Sequence, residues 1–167
     1  NALVTRKTGK NHFLCSSLDE APTIMAMSRL QELGCVFQMA PAQSNCTVNV
    51  ETVAEMITPR TAMLSLSWAN ALTGVIQPLE EIAALCQERD ILLHVDGSHI
   101  LGKQDVIFSD CDADLLTFRT PIAGAGGLFI QSQTEISPLI LGGKEQGGMR
   151  GGPFSVPALI EAAKWAK

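Results

Sequence analysis

Short apolar runs alternate along this chain with segments of helical spacing, and that alternation limits the possible folds more than any other feature. His12–Ser16 (HFLCS), Cys35–Met39, Ala62–Leu66, Ile91–Val95, Leu115–Phe118 and Gly127–Ile130 read as strands. Between them, Pro22–Leu33 carries apolar residues at helical spacing and stops at Gly34. Val50–Ile57 reads as a helix ended by Thr58-Pro59. Leu79–Arg89 follows Pro78 and places Ile82, Leu85 and Cys86 on one face. A last helix is expected over Val156–Trp165. Strands separated by helices predict an α/β fold: a mostly parallel sheet with helices on both faces. No internal repeat or low-complexity linker interrupts the pattern.

The chain has 167 residues, enough for one domain with a real core. Apolar residues make up 46% and charged residues 17%, a globular rather than a disordered balance. The formal net charge is −5 and no Lys/Arg cluster stands out, which argues against nucleic acid or an anionic membrane as partner. No apolar run approaches the roughly 20 residues that span a bilayer. The opening stretch, NALVTRKTGKNHF, lacks a signal-peptide layout. Cys15, Cys35, Cys46, Cys86 and Cys111 include no CxxC pair, so reduced thiols and a cytoplasmic setting are expected. The three histidines are too scattered for a zinc site.

In such sheets ligands gather beyond the carboxyl ends of the strands. Two strand ends carry polar groups there. Residues 91–103 read ILLHVDGSHILGK, so Ile91–Val95 stops at Asp96, with Gly97, Ser98 and His99 behind it. Asn70, in SWANALTG, follows the strand 62–66. From pattern alone, a helix cap or loop carboxylate and a ligand-binding carboxylate are equally good readings of Asp96. His99 alone reads as a structural histidine and Asn70 as a turn residue. The glycine run GAGG at 124–127 precedes a strand instead of opening a helix, so it reads as close packing and not as a phosphate cradle.

Taken together, these pieces resemble the cysteine desulfurases (NifS- and IscS-type) of the class V aminotransferase family. Residues 70–103, NALTGVIQPLEEIAALCQERDILLHVDGSHILGK, follow the family segment NNExGxxQPIxEIxxxCxxxxIxxHxDxxQxxGK in order and spacing. GKNHFLCSSLDEAPTI is similar to GKHIITSxxEHxAV, DADLLTF to the strand before the family's cofactor lysine, and GGKEQGGMRGGPFSV to GGxxERGxRxGTxxV. The resemblance implies part of the large domain of a fold type I enzyme dependent on pyridoxal 5'-phosphate (PLP). It covers nearly all of residues 1–167, with no counterpart of the C-terminal small domain. It implies that Asp96 stabilises the protonated pyridine nitrogen. His99 stands where the family's glutamine donates to the ring oxygen, and Asn70 where the family's asparagine contacts the same side. Reaction, substrate and partners follow from the same likeness: sulfur removed from L-cysteine to leave alanine and an enzyme persulfide, a homodimer, and a sulfur-accepting scaffold protein in iron–sulfur cluster assembly. The loop around 142–152 would reach the partner subunit.

The sequence departs from the family at marked places. The family's Schiff-base lysine, in S-x-H-K, is expected beside Phe118 and Arg119, but the text runs LLTFRTPIAGAGGLFI. No lysine occurs from Gln104 to Gly143. The stacking histidine of the EH pair falls at Glu20 or Ala21, and the loop threonine at Pro153. Lys103 matches the family's structural GK. No cysteine occupies the nucleophile's place, and all five read as core or loop thiols. No catalytic residue is therefore assigned. A degenerate homologue acting as a scaffold, or another class V lyase or transaminase, stands as the alternative, as does a stretch of residues missing between Phe118 and Arg119.

Overall fold

The computed structural model describes residues 9–105, 107, 111–120 and 125–165. The opening stretch 1–8, part of the segment read above for a targeting layout, lies outside them, as does Gly124 of the glycine run. Six strands form one sheet: β1 (His12–Ser16), β2 (Val36–Ala40), β3 (Thr61–Ser67), β4 (Leu92–Asp96), β5 (Leu115–Arg119) and β6 (Gly126–Ile130). Among the described residues four α-helices join or follow them: α1 (Ala21–Arg29), α2 (Val50–Met56), α3 (Leu79–Glu88) and α4 (Val156–Trp165).

The spatial order is β2-β1-β3-β4-β5-β6. All neighbours from β2 to β5 are parallel, and β6 runs antiparallel on β5. The chain steps from β1 out to β2, then returns past β1 to lay down β3 and β4. Right-handed crossovers in opposite directions place their helices on opposite faces. The packing follows that rule. Met27 of α1 packs with Phe13, while Val53 of α2 and Ile82, Leu85 and Cys86 of α3 pack with Leu14, Leu64, Leu66, Leu93, Val95 and Leu116. Phe13 and Leu14 are both fully buried, although successive strand residues point to opposite faces. Both faces of the sheet centre are therefore covered, as the alternation of strands and helices predicts.

Local signals end the elements where the sequence placed them, with small shifts. Gly34 takes a left-handed conformation (φ 78°) and closes the turn Leu30–Leu33 that continues α1 as a 3₁₀ helix. Asn49 caps α2, its side chain accepting from the backbone N–H of Thr52 at 2.7 Å. Pro78 stands at the N-cap of α3. Phe118 and Arg119 of β5 pair with Gly127 and Gly126 of β6. The hairpin needs small residues there. A Cβ on Gly126 would stand 2.7 Å from the Phe118 carbonyl oxygen, and one on Gly127 would meet the Phe118 ring at 2.5 Å. Close packing is thus the role of the described glycines of that run.

At the amino end of the sheet, His12 is buried, with Nδ1 2.8 Å from Thr61 Oγ1 and Nε2 3.1 Å from Gln38 Oε1. Burial pushes its pKa down, against a smaller upward effect of Gln38. It fastens β1 to both neighbours. A cavity of about 750 Å³ also opens at this end, between Lys10, Asp90, Asp112, Asp114 and Gln131. It is far from the strand ends where this class of sheet binds ligands.

Candidate functional site

The strand order reverses between β1 and β3, and the carboxyl ends of such strands form the expected ligand crevice. Asp19, in the loop leaving β1, is 7% exposed. Its Oδ2 accepts the N–H of Ser16 at 3.0 Å and its Oδ1 accepts the N–H of Ser67, the last residue of β3, at 2.6 Å. Burial raises its pKa to about 6. The two backbone donors oppose that rise and the negative charge of Asp96 adds to it. Asp19 and Asp96 therefore sense one another across the end of β3.

Asp96 ends β4 between Ser67 of β3 and Thr117 of β5, its partners in register. Its Oδ1 accepts the N–H of Ser98 at 2.9 Å, an Asx turn that redirects the chain. Its Oδ2 makes no hydrogen bond among the described residues, so one carboxylate oxygen is tied into the loop and the other is available to a ligand. The backbone holds the residue firmly: its carbonyl accepts from Trp68 at 2.9 Å, and Gly97 donates to the Thr117 carbonyl at 2.8 Å.

Asn70 lies at the same end of the sheet. Its Nδ2 donates to the Leu18 carbonyl at 2.9 Å, next to Asp19. Its Oδ1 accepts from the N–H groups of Leu72 (3.0 Å) and Thr73 (2.9 Å) and from the Thr73 hydroxyl (3.1 Å). The asparagine is thus a turn residue, as its pattern alone reads, that also pins the β3 exit to the β1 exit.

His99, in the loop after β4, meets Glu20 through Nε2. Glu20 stands at the N-cap of α1. Nη2 of Arg119 is 3.5 Å from the same Nε2. The backbone N–H of Arg119 donates to Ser98 Oγ at 3.2 Å, which fixes the end of β5 against the Asp96 loop.

One further group lies beneath Asp96. His94, two residues earlier on the same face of β4, bridges three strands: Nδ1 is 2.7 Å from Ser65 Oγ of β3 and Nε2 is 3.0 Å from Thr117 Oγ1 of β5. Burial pushes its pKa down, and the charge of Asp96 works against that. The sequence signal for it was a histidine inside an otherwise apolar run. Asp19, Glu20 and Arg119 carried less signal, because only the fold brings them together.

Cys15, Cys35, Cys86 and Cys111 are buried, and all five cysteines are free. Burial pushes Cys15 and Cys86 up to about 12, away from the reactive thiolate. Among the described residues, no cluster of three or more His, Cys, Asp or Glu could hold a metal ion, and no helix is long and apolar enough to cross a membrane.

The family model for aminotransferase class V matches residues 1–148, across this whole crevice. The chain belongs to the class V aminotransferase family. Among its curated relatives, cysteine desulfurase IscS 1 of Archaeoglobus fulgidus is 32% identical over 170 residues, covering 99% of this chain and 44% of the relative. The mitochondrial cysteine desulfurase of Arthroderma benhamiae is 29% identical, covering 97% of this chain and 34% of that protein. The solved structure described as SspA in complex with cysteine superposes with a TM-score of 0.89 at 25% identity, over 98% of this chain and 49% of the other. The chain thus spans less than half the length of these curated relatives and about half of that structure.

Class V aminotransferases and their cysteine desulfurase members depend on PLP, and the residues here fit that group in part. A carboxylate with one oxygen available suits a protonated pyridine nitrogen. Bound there, PLP would supply an electron sink for amino-acid chemistry. The amine does not fit the pattern: no lysine among the described residues makes a hydrogen bond or ion pair with Asp19, Asp96, His99 or Asn70. Lys10 is taken up by Asp90 and Lys164 by Glu161.

Proposed function

We propose that this chain forms the PLP-binding part of a cysteine desulfurase-like protein. In this reading Asp96 holds the pyridine nitrogen in its protonated form, and His99 and Asn70 lie on the side of the ring oxygen. L-cysteine is the substrate, giving alanine and sulfur for an acceptor protein in iron–sulfur cluster assembly. The working protein is a homodimer in a reducing, cytoplasm-like compartment.

The observation that carries the reading is Asp96 itself. It is a carboxylate at the carboxyl end of a central parallel strand, one oxygen fixed by Ser98 and the other available. A buried opposite charge is what keeps a pyridinium protonated near neutral pH. Glu20 and Asp19 hold the loops around it: Glu20 orients the His99 ring, and Asp19 ties β1 to β3. The names of the relatives, all cysteine desulfurases, support the substrate.

The test is alanine release from L-cysteine by the full-length protein supplied with PLP. Activity that Asp96→Ala abolishes supports the reading. A second reading rests on the sequence from Gln104 to Gly143, which lacks any lysine: the fold and the ring site persist without turnover. PLP binding with alanine formation no faster than free PLP gives would select it.

A further inference from the structure

We propose that this site holds a phosphorylated 3-hydroxypyridine aldehyde reversibly, with Arg119 gripping it by charge where an amine would grip it by a covalent bond. The proposal rests on the reading that Asp96 faces the pyridine nitrogen.

Few protein groups capture an aldehyde covalently. Covalent capture needs a primary amine able to lose its proton. A guanidinium stays protonated at any pH a folded protein survives, so it binds anions but does not add to carbonyls. The side chains described above at this end of the sheet, beside Asp96, are Asp19, Glu20, His94, Asn70, His99, Thr117 and Arg119. The one permanent cation among them is Arg119. It sits at the end of β5, its backbone fixed by Ser98 Oγ and its Nη2 3.5 Å from His99 Nε2.

Arg119 also has donors to spare. Nε2 of His99 cannot donate to Glu20 and accept from Arg119 at once, so the contact with Glu20 leaves the guanidinium without an acceptor there. Among the described residues Arg119 makes no ion pair with a carboxylate. Yet three acids, Asp19, Glu20 and Asp96, crowd the same strand ends. An anionic ligand entering this acidic surrounding needs one fixed positive group, and Arg119 offers it on the side where His99 stands. The matching ligand carries a basic ring nitrogen for Asp96 and an oxyanion on the same ring for Arg119.

The experiment is a titration of the full-length protein with PLP, followed by absorbance and protein fluorescence, then dialysis with and without borohydride. Saturable binding that dialysis removes in both cases is the expected result. Arg119→Gln should weaken the affinity about ten- to a hundredfold, the effect of one charged hydrogen bond, without moving the thermal transition. Arg119→Lys, which restores the charge, should recover part of the loss. Stoichiometric fixation of the ligand on a lysine by borohydride, or Arg119→Gln binding like the parent, overturns this inference and leaves the role of Asp96 intact. Absence of saturable binding, or Asp96→Ala binding as tightly as the parent, overturns the reading beneath it.

Discussion

Oδ1 of Asp19 accepts the backbone N–H of Ser67 at 2.6 Å, joining residues 48 apart in sequence at the point where the strand order reverses. The other oxygen holds Ser16. One buried carboxyl therefore closes the crevice between β1 and β3. Asp19→Ala leaves two N–H groups unpaired in a site closed to water, and the expected cost is roughly 2 kcal/mol or more, read from denaturant midpoints. Asp19→Asn keeps one acceptor and should cost less.

The same carboxyl gives the stability a pH dependence of unusual sign. Its folded pKa is raised from 3.8 to about 6. The folded state therefore holds the proton more tightly than the unfolded chain. The contribution is fully present below about 4 and is lost as pH rises through about 6. The loss amounts to roughly 3 kcal/mol. Between pH 4 and 7 the parent should lose that much stability relative to Asp19→Asn. Parallel curves for the two proteins would contradict the assignment.

His94 should act in the opposite sense. Its pKa is lowered from 6.5, so the unfolded chain binds the proton more readily. Stability from this group is present above 6.5 and falls away as pH drops below it toward the folded value. His94→Leu should flatten that acid limb in part, since His12 shares the direction. At neutral pH it should cost roughly 1–3 kcal/mol, because the fully buried Ser65 hydroxyl loses its partner. Chemical denaturation at pH 5 and 7.5 separates the two effects.

The β5–β6 hairpin offers a test free of charge. Gly126→Ala drives a methyl to 2.7 Å from the Phe118 carbonyl, a backbone atom that cannot rotate away. A loss of about 1–3 kcal/mol is expected, visible as a lower melting temperature. Unchanged melting would mean that the two strands are further apart than described.

Much of the fold was legible because period and punctuation agree locally. The HFLCS and ILLHV runs, Pro78 before α3 and Gly34 after the first helix each act within a few residues. The strand reading missed by one residue at Cys35 and Ile91, since the ladder starts at Val36 and Leu92. The antiparallel turn onto β6 had no local signal beyond a mostly parallel sheet. The site divided in the same way. Asp96 and His99 stood out because a polar group at a strand end is a local anomaly. Asp19, His94 and Arg119 did not, since their partners Ser67, Ser65, Thr117 and Ser98 lie 21 to 48 residues away and meet only in the folded sheet. Glu20 was visible only as one of two residues, with Ala21, in the place of a family histidine, and its contact with His99 required the fold.

Nitrogen-15 NMR of ring-labelled PLP on the full-length protein asks most directly whether Asp96 serves a pyridine ring. A pyridinium shift near neutral pH is expected in the parent and a neutral-pyridine shift in Asp96→Asn. A ring nitrogen that is unprotonated in the parent, or equally protonated in both, would contradict it.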